Sequence, residues 1–210
     1  MIKVLIVDDH AIVRRGLRQI LLDESSEFSV AEAADGDQAI EAVRQHPFDV
    51  AVLDISMPGR TGLDVLKEIR DLRPKLPVLM LSIHPESQYA VRALRAGAYG
   101  YLTKDSAPAE LVNAVRKVAS GGRYITQAVG EKLALTLDRD PGAPPHETLS
   151  NREHYVLCMI GSGRTITEIA RELKLSVKTV STYRSRMLAK MGMRTSAELT
   201  RYAIENGLVK

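Results

Sequence analysis

The sequence predicts a doubly wound α/β domain with a five-stranded parallel sheet, followed by a small all-helical domain. Three observations carry this. Short apolar runs end in polar or charged residues: Val4–Val7 before Asp8-Asp9, Val50–Leu53 before Asp54, Val78–Leu81 before Ser82, and Gly100–Thr103 before Lys104. Continuous apolar runs of this length are the signature of strands buried on both faces, as in parallel sheets. Helical periodicity alternates with the runs, strand then helix, five times. From residue 149 onward the periodicity is helical throughout.

Taken in order, the first strand leads to a helix over 11–22, where Val13, Leu17, Ile20 and Leu21 share one face. Ser29–Ala33 is a short strand. Ala39, Ile40 and Val43 mark a helix that ends before Pro47. After the strand 50–54, Pro58-Gly59 makes a turn and Gly62–Leu72 forms the third helix, closed by Pro74 and Pro77. The strand ending at Leu81 is followed by a helix over 87–96 that Gly97 terminates. Pro108 opens a fifth helix that runs to Ser120, before Gly121-Gly122. Residues 126–137 read as an extra helix. The run 138–148 (DRDPGAPPHET) has three prolines and no apolar periodicity, so it reads as a linker. The expected divisions are therefore 1–121, 122–148 and 149–210.

In the last of these, Ser150…Glu153, Thr165…Glu168 and Thr195…Glu198 are capping boxes, and Ser176 is a further N-cap. They place helices over 151–161, 166–173, 177–191 and 196–206. The middle pair, joined by Lys174-Leu175-Ser176, is a helix-turn-helix candidate.

Composition excludes several classes. No apolar run approaches the ~20 residues of a membrane span, and Met1–Val7 leads directly into charge, so a cytoplasmic protein with no membrane role is expected. The single Cys158 falls in a helical apolar pattern and reads as a core thiol rather than a reactive one. Net charge is +3 but uneven: residues 147–210 hold 11 basic and 6 acidic side chains, and residues 1–146 hold 18 and 20. A basic helical part makes nucleic acid a candidate partner.

If the strands lie parallel, their carboxyl ends bring three carboxylates, a hydroxyl and an ammonium to one edge, where open α/β sheets place their sites. Singly, each has a plain structural explanation: Asp8 or Asp9 as a helix cap, Asp54 as a turn residue, Lys104 as a surface lysine. Together they match the needs of phosphoryl transfer to a carboxylate. Asp54 is the acceptor candidate. Asp8 and Asp9, with Asp54 and the backbone carbonyl of Ser56, are candidate ligands of Mg²⁺, which prefers oxygen. Lys104 and Ser82 are placed to meet the transferred group, and His10 reads as an exposed residue opening the first helix.

The helix 177–191 has Val177, Val180, Met187, Leu188 and Met191 on its expected inner face. Lys178, Thr182, Ser185, Arg186 and Ala189 lie opposite, with Ser181 at the margin. Such a face can enter a major groove, while Thr179, Tyr183, Lys190 and Arg194 are better placed for phosphates. Arg184 falls toward the apolar side and must snorkel out or pair. A solvated face of a small helical domain is the alternative.

Residues 1–120 resemble response-regulator receiver domains, through Asp8-Asp9, Asp54 followed by Met57-Pro58-Gly59, Ser82, Gly97-Ala98, and Tyr101 three residues before Lys104. Residues 149–210 resemble the LuxR-type output domain, through Leu149–Glu153, Thr167–Ala170 and Ser176–Val180. Together these resemble a two-component response regulator of the NarL/FixJ type, and Lys178–Tyr183 is closest to its BvgA/EvgA branch. The resemblance implies a flavodoxin-like receiver and phosphorylation by a histidine kinase with Mg²⁺. It also implies a switch made by Ser82 and an inward-turning Tyr101, and dimers on double-stranded promoter DNA. Serine at 181 and 185, where relatives often carry a basic residue, suggests weaker or different base reading. Leu199, Tyr202 and Ala203 on the last helix are the expected dimer contact, with packing inside the domain as the alternative, and both can hold. Competing readings are a DNA binder with a vestigial receiver, an aspartate-based phosphohydrolase, and a phosphorelay module without a DNA role.

Overall fold

The structure, a computed structural model, describes residues 1–24, 26–83, 86–127, 129–131 and 144–209. The chain divides into two compact units, Met1–Lys132 and Leu133–Lys210.

In the first unit, β1 (Ile2–Val7), β2 (Phe28–Ala33), β3 (Val50–Asp54), β4 (Val78–Ser82) and β5 (Gly100–Thr103) form one sheet in the order β2-β1-β3-β4-β5. All neighbours are parallel. The helices are α1 (Ala11–Glu24), α2 (Gly36–Gln45), α3 (Gly62–Leu72), α4 (Glu86–Arg95) and α5 (Ala107–Ala119). β3 and β4 are buried along their whole length, which is why they read as unbroken apolar runs rather than alternating ones. Alternate residues of the sheet, among them Val4, Ile6, Val50, Val52, Leu79 and Leu81, form one cluster with Leu17 and Leu21 of α1 and Leu111 and Val115 of α5.

Beyond α5 the chain turns back to the edge of the sheet. Tyr124 donates its N–H to the Tyr99 carbonyl and accepts from the Tyr101 N–H, so the outer edge of β5 is covered. Gly100 is required there, because a Cβ would lie 2.6 Å from the Tyr124 carbonyl oxygen. Of the extra helix expected over 126–137, residues 127 and 129–131 are helical; 132–137 lie outside the described residues, as do 138–143 of the linker. The end of the linker is not irregular: Pro145–Thr148 is a 3₁₀ turn.

The second unit contains α6 (Asn151–Gly161), α7 (Ile166–Glu172), α8 (Val177–Met191) and α9 (Ser196–Glu205). α6 is its centre: every residue from Arg152 to Gly161 is buried, Cys158 among them. α9 crosses it at Gly161, where a Cβ would come within 2.7 Å of Ala203 Cβ. Ser150–Glu153 and Thr165–Glu168 form full capping boxes. At the third start the reciprocal bond shifts by one residue, with the Glu198 carboxylate accepting from the Arg194 N–H. Gly192, at φ 66°, ends α8 in the left-handed conformation.

A candidate phosphoryl-acceptor site and a candidate DNA-reading helix

The carboxyl ends of β1, β3 and β5 bring Asp8, Asp54 and Lys104 into direct contact. Lys104 Nζ lies 2.6 Å from Asp8 Oδ2 and 2.9 Å from Asp54 Oδ2. Both aspartates are fully buried. Lys104 is aimed by its own backbone, whose N–H donates to the Ser82 carbonyl at 2.7 Å and so fixes the end of β5 against β4. The Ser56 N–H donates to Asp54 Oδ1 at 3.2 Å, as an Asx-type turn does. The Asp8 carbonyl is held by Arg14 of α1 at 2.5 Å, and Asp8 Oδ1 accepts the His10 N–H.

The loop after Asp54 is closed by a glycine with no room for a side chain. A Cβ on Gly62 would stand 2.0 Å from the Asp54 carbonyl oxygen. The Gly62 N–H donates to the Ile55 carbonyl, so α3 begins directly against the strand that carries the acceptor. Farther round the loop, Arg60 pairs with Glu68 of α3 and with Asp37 of α2.

Electrostatically the site is short of positive charge. Burial pushes the Asp54 carboxyl above its ordinary range; Asp8 adds to this and Lys104 opposes it. For Lys104, burial works against the charge, but the Asp54 and Asp8 carboxylates outweigh it and the ammonium holds its proton more tightly than usual. One ammonium thus serves two buried carboxylates, with Asp9 beside them. Asp8, Asp9, His10 and Asp54 offer atoms that all lie within 4.8 Å of one another. Asp9 Oδ1 is buried and accepts no hydrogen bond, with His10 Nδ1 3.1 Å away. A set of carboxylate oxygens lacking cationic charge fits a divalent cation of the Mg²⁺ kind. Lys104→Met is expected to cost about 2–3 kcal/mol at neutral pH in chelating buffer, because it leaves the carboxylates without their cation. Added Mg²⁺ should recover part of that by binding the folded state; urea unfolding with and without Mg²⁺ measures both.

The structure brings together Asp8, Asp9, Asp54 and Lys104, with Ser56 tied in through its backbone. Ser82 is fully buried at the end of β4. Tyr101 is already inside, at 1% exposure, so the structure holds the inward arrangement of that ring. His10 was expected as an exposed helix-opening residue; its side chain is 64% exposed, but its ring stands against both Asp8 and Asp9.

In the helical unit, Lys178, Thr182, Ser185 and Arg186 are exposed along α8, and Thr179, Ser181 and Tyr183 are partly so. Val180, Met187 and Met191 pack inward. Val177 does not: it is 49% exposed, in a first turn where residues 176–178 all face solvent. Thr182 Oγ1 donates back to the Lys178 carbonyl, which fixes its rotamer. Arg184 pairs with Ser196 Oγ at 2.6 Å.

Two further residues or pairs have partners that the sequence did not show. Lys190, expected on a phosphate, has its Nζ 2.6 Å from the buried Glu153 carboxylate. Burial alone would raise Glu153, but the bonds from Lys190 and from Ser150 outweigh it and hold its carboxyl below the ordinary range. Leu199 and Ala203, expected at a dimer contact, are fully buried inside the unit. The apolar stripe of α9 is the one that holds it to α6, and Leu199 and Ala203 offer no surface to a second chain. Tyr202 is half-buried, with its hydroxyl 2.8 Å from His146 Nδ1 in the 3₁₀ turn.

Among the described residues, no helix is long and apolar enough to cross a membrane. Residues 4–116 match the response regulator receiver domain model, and residues 147–203 match that of the bacterial regulatory proteins of the luxR family. The chain is 40% identical over 209 residues to the response regulator UvrY of Escherichia coli K12, covering 99% of this chain and 96% of that protein. It is 35% identical over 210 residues to the response regulator GacA of Pseudomonas aeruginosa, covering 100% and 98%. Among solved structures it is similar to RcsB of Salmonella enterica serovar Typhimurium bound to promoter rprA in the presence of phosphomimetic BeF₃⁻, with TM-score 0.63, 27% identity and coverage of 96% and 98%. It is also similar to a structure of two RcsB dimers bound to two parallel DNAs, with TM-score 0.59 and coverage of 96% and 97%. The acidic strand-end site and the helix-turn-helix unit therefore belong to one molecule of known kind: the chain is a member of the NarL/FixJ family of two-component response regulators, a receiver joined to a LuxR-type DNA-binding domain that regulates transcription.

Proposed function

We propose that Asp54 accepts a phosphoryl group from a phosphohistidine of a cognate sensor kinase, and that this controls dimerisation and promoter binding by the helical domain. The observation that carries the reading is the contact of Lys104 with both Asp8 and Asp54 at the buried ends of three strands. In the transfer, an Asp54 oxygen attacks phosphorus as the N–P bond breaks and the electron pair stays on the donor imidazole. Lys104 moves from Asp54 Oδ2 to an oxygen of the arriving group. Asp8, Asp9, Asp54 and the Ser56 carbonyl are the residues that would hold Mg²⁺, which supplies charge neutralisation for the crowded oxygens. Ser82 and Tyr101 form the switch: the hydroxyl pairs with the new anion, and phosphorylation favours the inward position of the ring, the one this structure holds, over an outward one.

Lys178, Ser181, Thr182, Ser185 and Arg186 read base edges, and Thr179, Tyr183 and Arg194 meet phosphates. Lys190 uses one of its three N–H donors on Glu153 and is 42% exposed, so a phosphate contact is open to it as well. Placement near the BvgA/EvgA branch rests on the run Lys178–Tyr183 alone. On α9, Tyr202 and the 54%-exposed Ile204 are the apolar-bodied side chains that offer surface to a second copy, beside the exposed Arg201 and Glu205. A soluble cytoplasmic setting follows from promoter DNA as the partner.

The test is duplex binding by the whole protein with and without a small phosphodonor and Mg²⁺, selecting from random sequences. Tighter binding to a two-half-site sequence supports the reading. Unchanged binding overturns the control of DNA affinity by Asp54. On the selected site, Lys178→Ala and Arg186→Ala are each expected to weaken binding by about tenfold or more and to relax the base preference at the position each reads; titrations on the selected site and on single-base-pair variants of it measure this.

A further inference from the structure

Several helices of this chain end in a common way. At Gly97, Gly121, Gly163, Gly192 and Gly207 the backbone turns left-handed, with φ between 63° and 100°. Each of these N–H groups, and the one after it, donates back to carbonyls of the last turn, as Gly163 does to Ile160 and Arg164 to Met159. α7 ends with the same pair of bonds, from Lys174 to the Arg171 carbonyl at 3.2 Å and from Leu175 to the Ala170 carbonyl at 2.8 Å. Its left-handed residue, however, is a lysine, at φ 53°. Among the described residues Lys174 is the one non-glycine residue at positive φ. A Cβ in that conformation crowds the following carbonyl oxygen, which lowers the ratio of folded to unfolded chain by roughly a factor of 5–30.

Nothing inside the domain offsets this. Leu173 is buried and Leu175 is half-buried, while Lys174 between them is exposed. Its ammonium makes no ion pair or hydrogen bond among the described residues. The macrodipole of α7 favours a cation in the last turn, and Arg171 is already there. Glu168 is bound up in the Thr165 cap, with Arg164 and Arg171 beside it. Over 171–178 the charged side chains are Arg171, Glu172, Lys174 and Lys178, so the turn is positive with Glu172 counted. It leads straight into the exposed residues 176–178 at the start of α8. In a helix-turn-helix the second helix presents its N-terminal residues to base edges while the first crosses the backbone. A lysine in the turn between them therefore reaches phosphates rather than bases. A sparsely populated backbone conformation at an exposed position is a sign of function when no packing explains it. Resting on α8 as the DNA-reading helix, we propose that the Lys174 ammonium holds a backbone phosphate at the edge of the groove that α8 enters.

The test compares the full chain with Lys174→Gly, Lys174→Arg and Lys178→Ala, each treated with a small phosphodonor and Mg²⁺. Binding is titrated at several salt concentrations on the selected duplex and on a duplex of mixed sequence. Lys174→Gly is expected to bind both duplexes about fivefold or more weaker, with the slope of log affinity against log salt reduced by about 0.9. The same variant should be more stable, with a higher urea midpoint followed by NMR at the amides of α6. Lys174→Arg keeps the charge and should keep affinity and slope. Unchanged affinity and slope in Lys174→Gly, a loss confined to the selected duplex, or a lower urea midpoint would each overturn the proposal, the last by showing that the lysine serves the helix end. Weakening by Lys178→Ala with none by Lys174→Gly overturns this contact alone. No binding by the wild type overturns the DNA-reading face and the contact together.

Discussion

Gly62→Ala is expected to destabilise the receiver by about 3 kcal/mol and to slow phosphoryl uptake by about a hundredfold. The new Cβ would overlap the Asp54 carbonyl oxygen, at 2.0 Å, and would also press on Asp54 C at 2.8 Å and Ile55 Cα at 2.9 Å. All three are backbone atoms, so nothing flexible can yield. Either α3 lifts away from β3, losing the Gly62 bond to Ile55, or β3 itself shifts. Overpacking of this kind costs about 1–3 kcal/mol and occasionally more. A displacement of about 1 Å at a reacting group costs on the order of a hundredfold in rate. Urea unfolding and the rate of phosphorylation by a small donor read the two effects. Gly16→Ala is the control: that glycine lies within α1 with nothing within 4 Å of a Cβ, and alanine there should stabilise by roughly 0.5–1 kcal/mol. Normal uptake by Gly62→Ala would show that the tight start of α3 does not position the acceptor.

Asp54→Asn is expected to separate function from stability in opposite directions. It removes the nucleophilic oxygen, so phosphoryl uptake and any donor-driven gain in DNA affinity should vanish. In Mg²⁺-free buffer at neutral pH the same variant should be more stable than the wild type, by on the order of 1 kcal/mol or more. Burial raises the Asp54 carboxyl in the folded chain, with Asp8 adding to it. A carboxyl raised on folding is penalised wherever the unfolded chain is ionised. The penalty is absent below the ordinary carboxylate range, grows as pH rises toward the folded value, and is constant above it. The stability gap between variant and wild type should therefore widen with pH and then level off, and Mg²⁺ should narrow it by stabilising the wild type. A less stable Asn variant across that range would mean that Asp54 is well compensated by Lys104 alone.

The strand ends were legible in the sequence because a strand buried on both faces has a continuous apolar code, and the first charge after it marks its end. That logic located Asp8, Asp54, Ser82 and Lys104 together. It could not show that Lys104 bridges two carboxylates, since that depends on the register of β4 against β5. Nor could it show that Gly62 is a packing requirement rather than a turn residue. Helical periodicity located the faces of α8 and α9 but not what covers them. Leu199 and Ala203 were read as a surface for a second chain or as packing inside the domain, and they are the contact with α6; an apolar stripe is the same whether its partner is the same chain or another. Val177 fits the periodicity of the inner face yet lies in an exposed first turn. Lys190 has the charge of a phosphate ligand, but only tertiary structure places Glu153, 37 residues away in sequence, under it. The covering of β5 by Tyr124 left no periodic trace, because one residue makes the bridge.

The Glu153 carboxylate holds two parts of the output domain at one point. It accepts from the Ser150 backbone just past the linker, which completes the cap that starts α6, and it holds Lys190 in the last turn of α8. The chain that arrives from the receiver and the far end of the reading helix are thus fastened to the same nail. A change at residue 153 would loosen both, so a substitution distant from any base could alter how firmly DNA is gripped. Conversely, a duplex that drew Lys190 onto its backbone would free a negative charge beside Ser150, two residues past the linker.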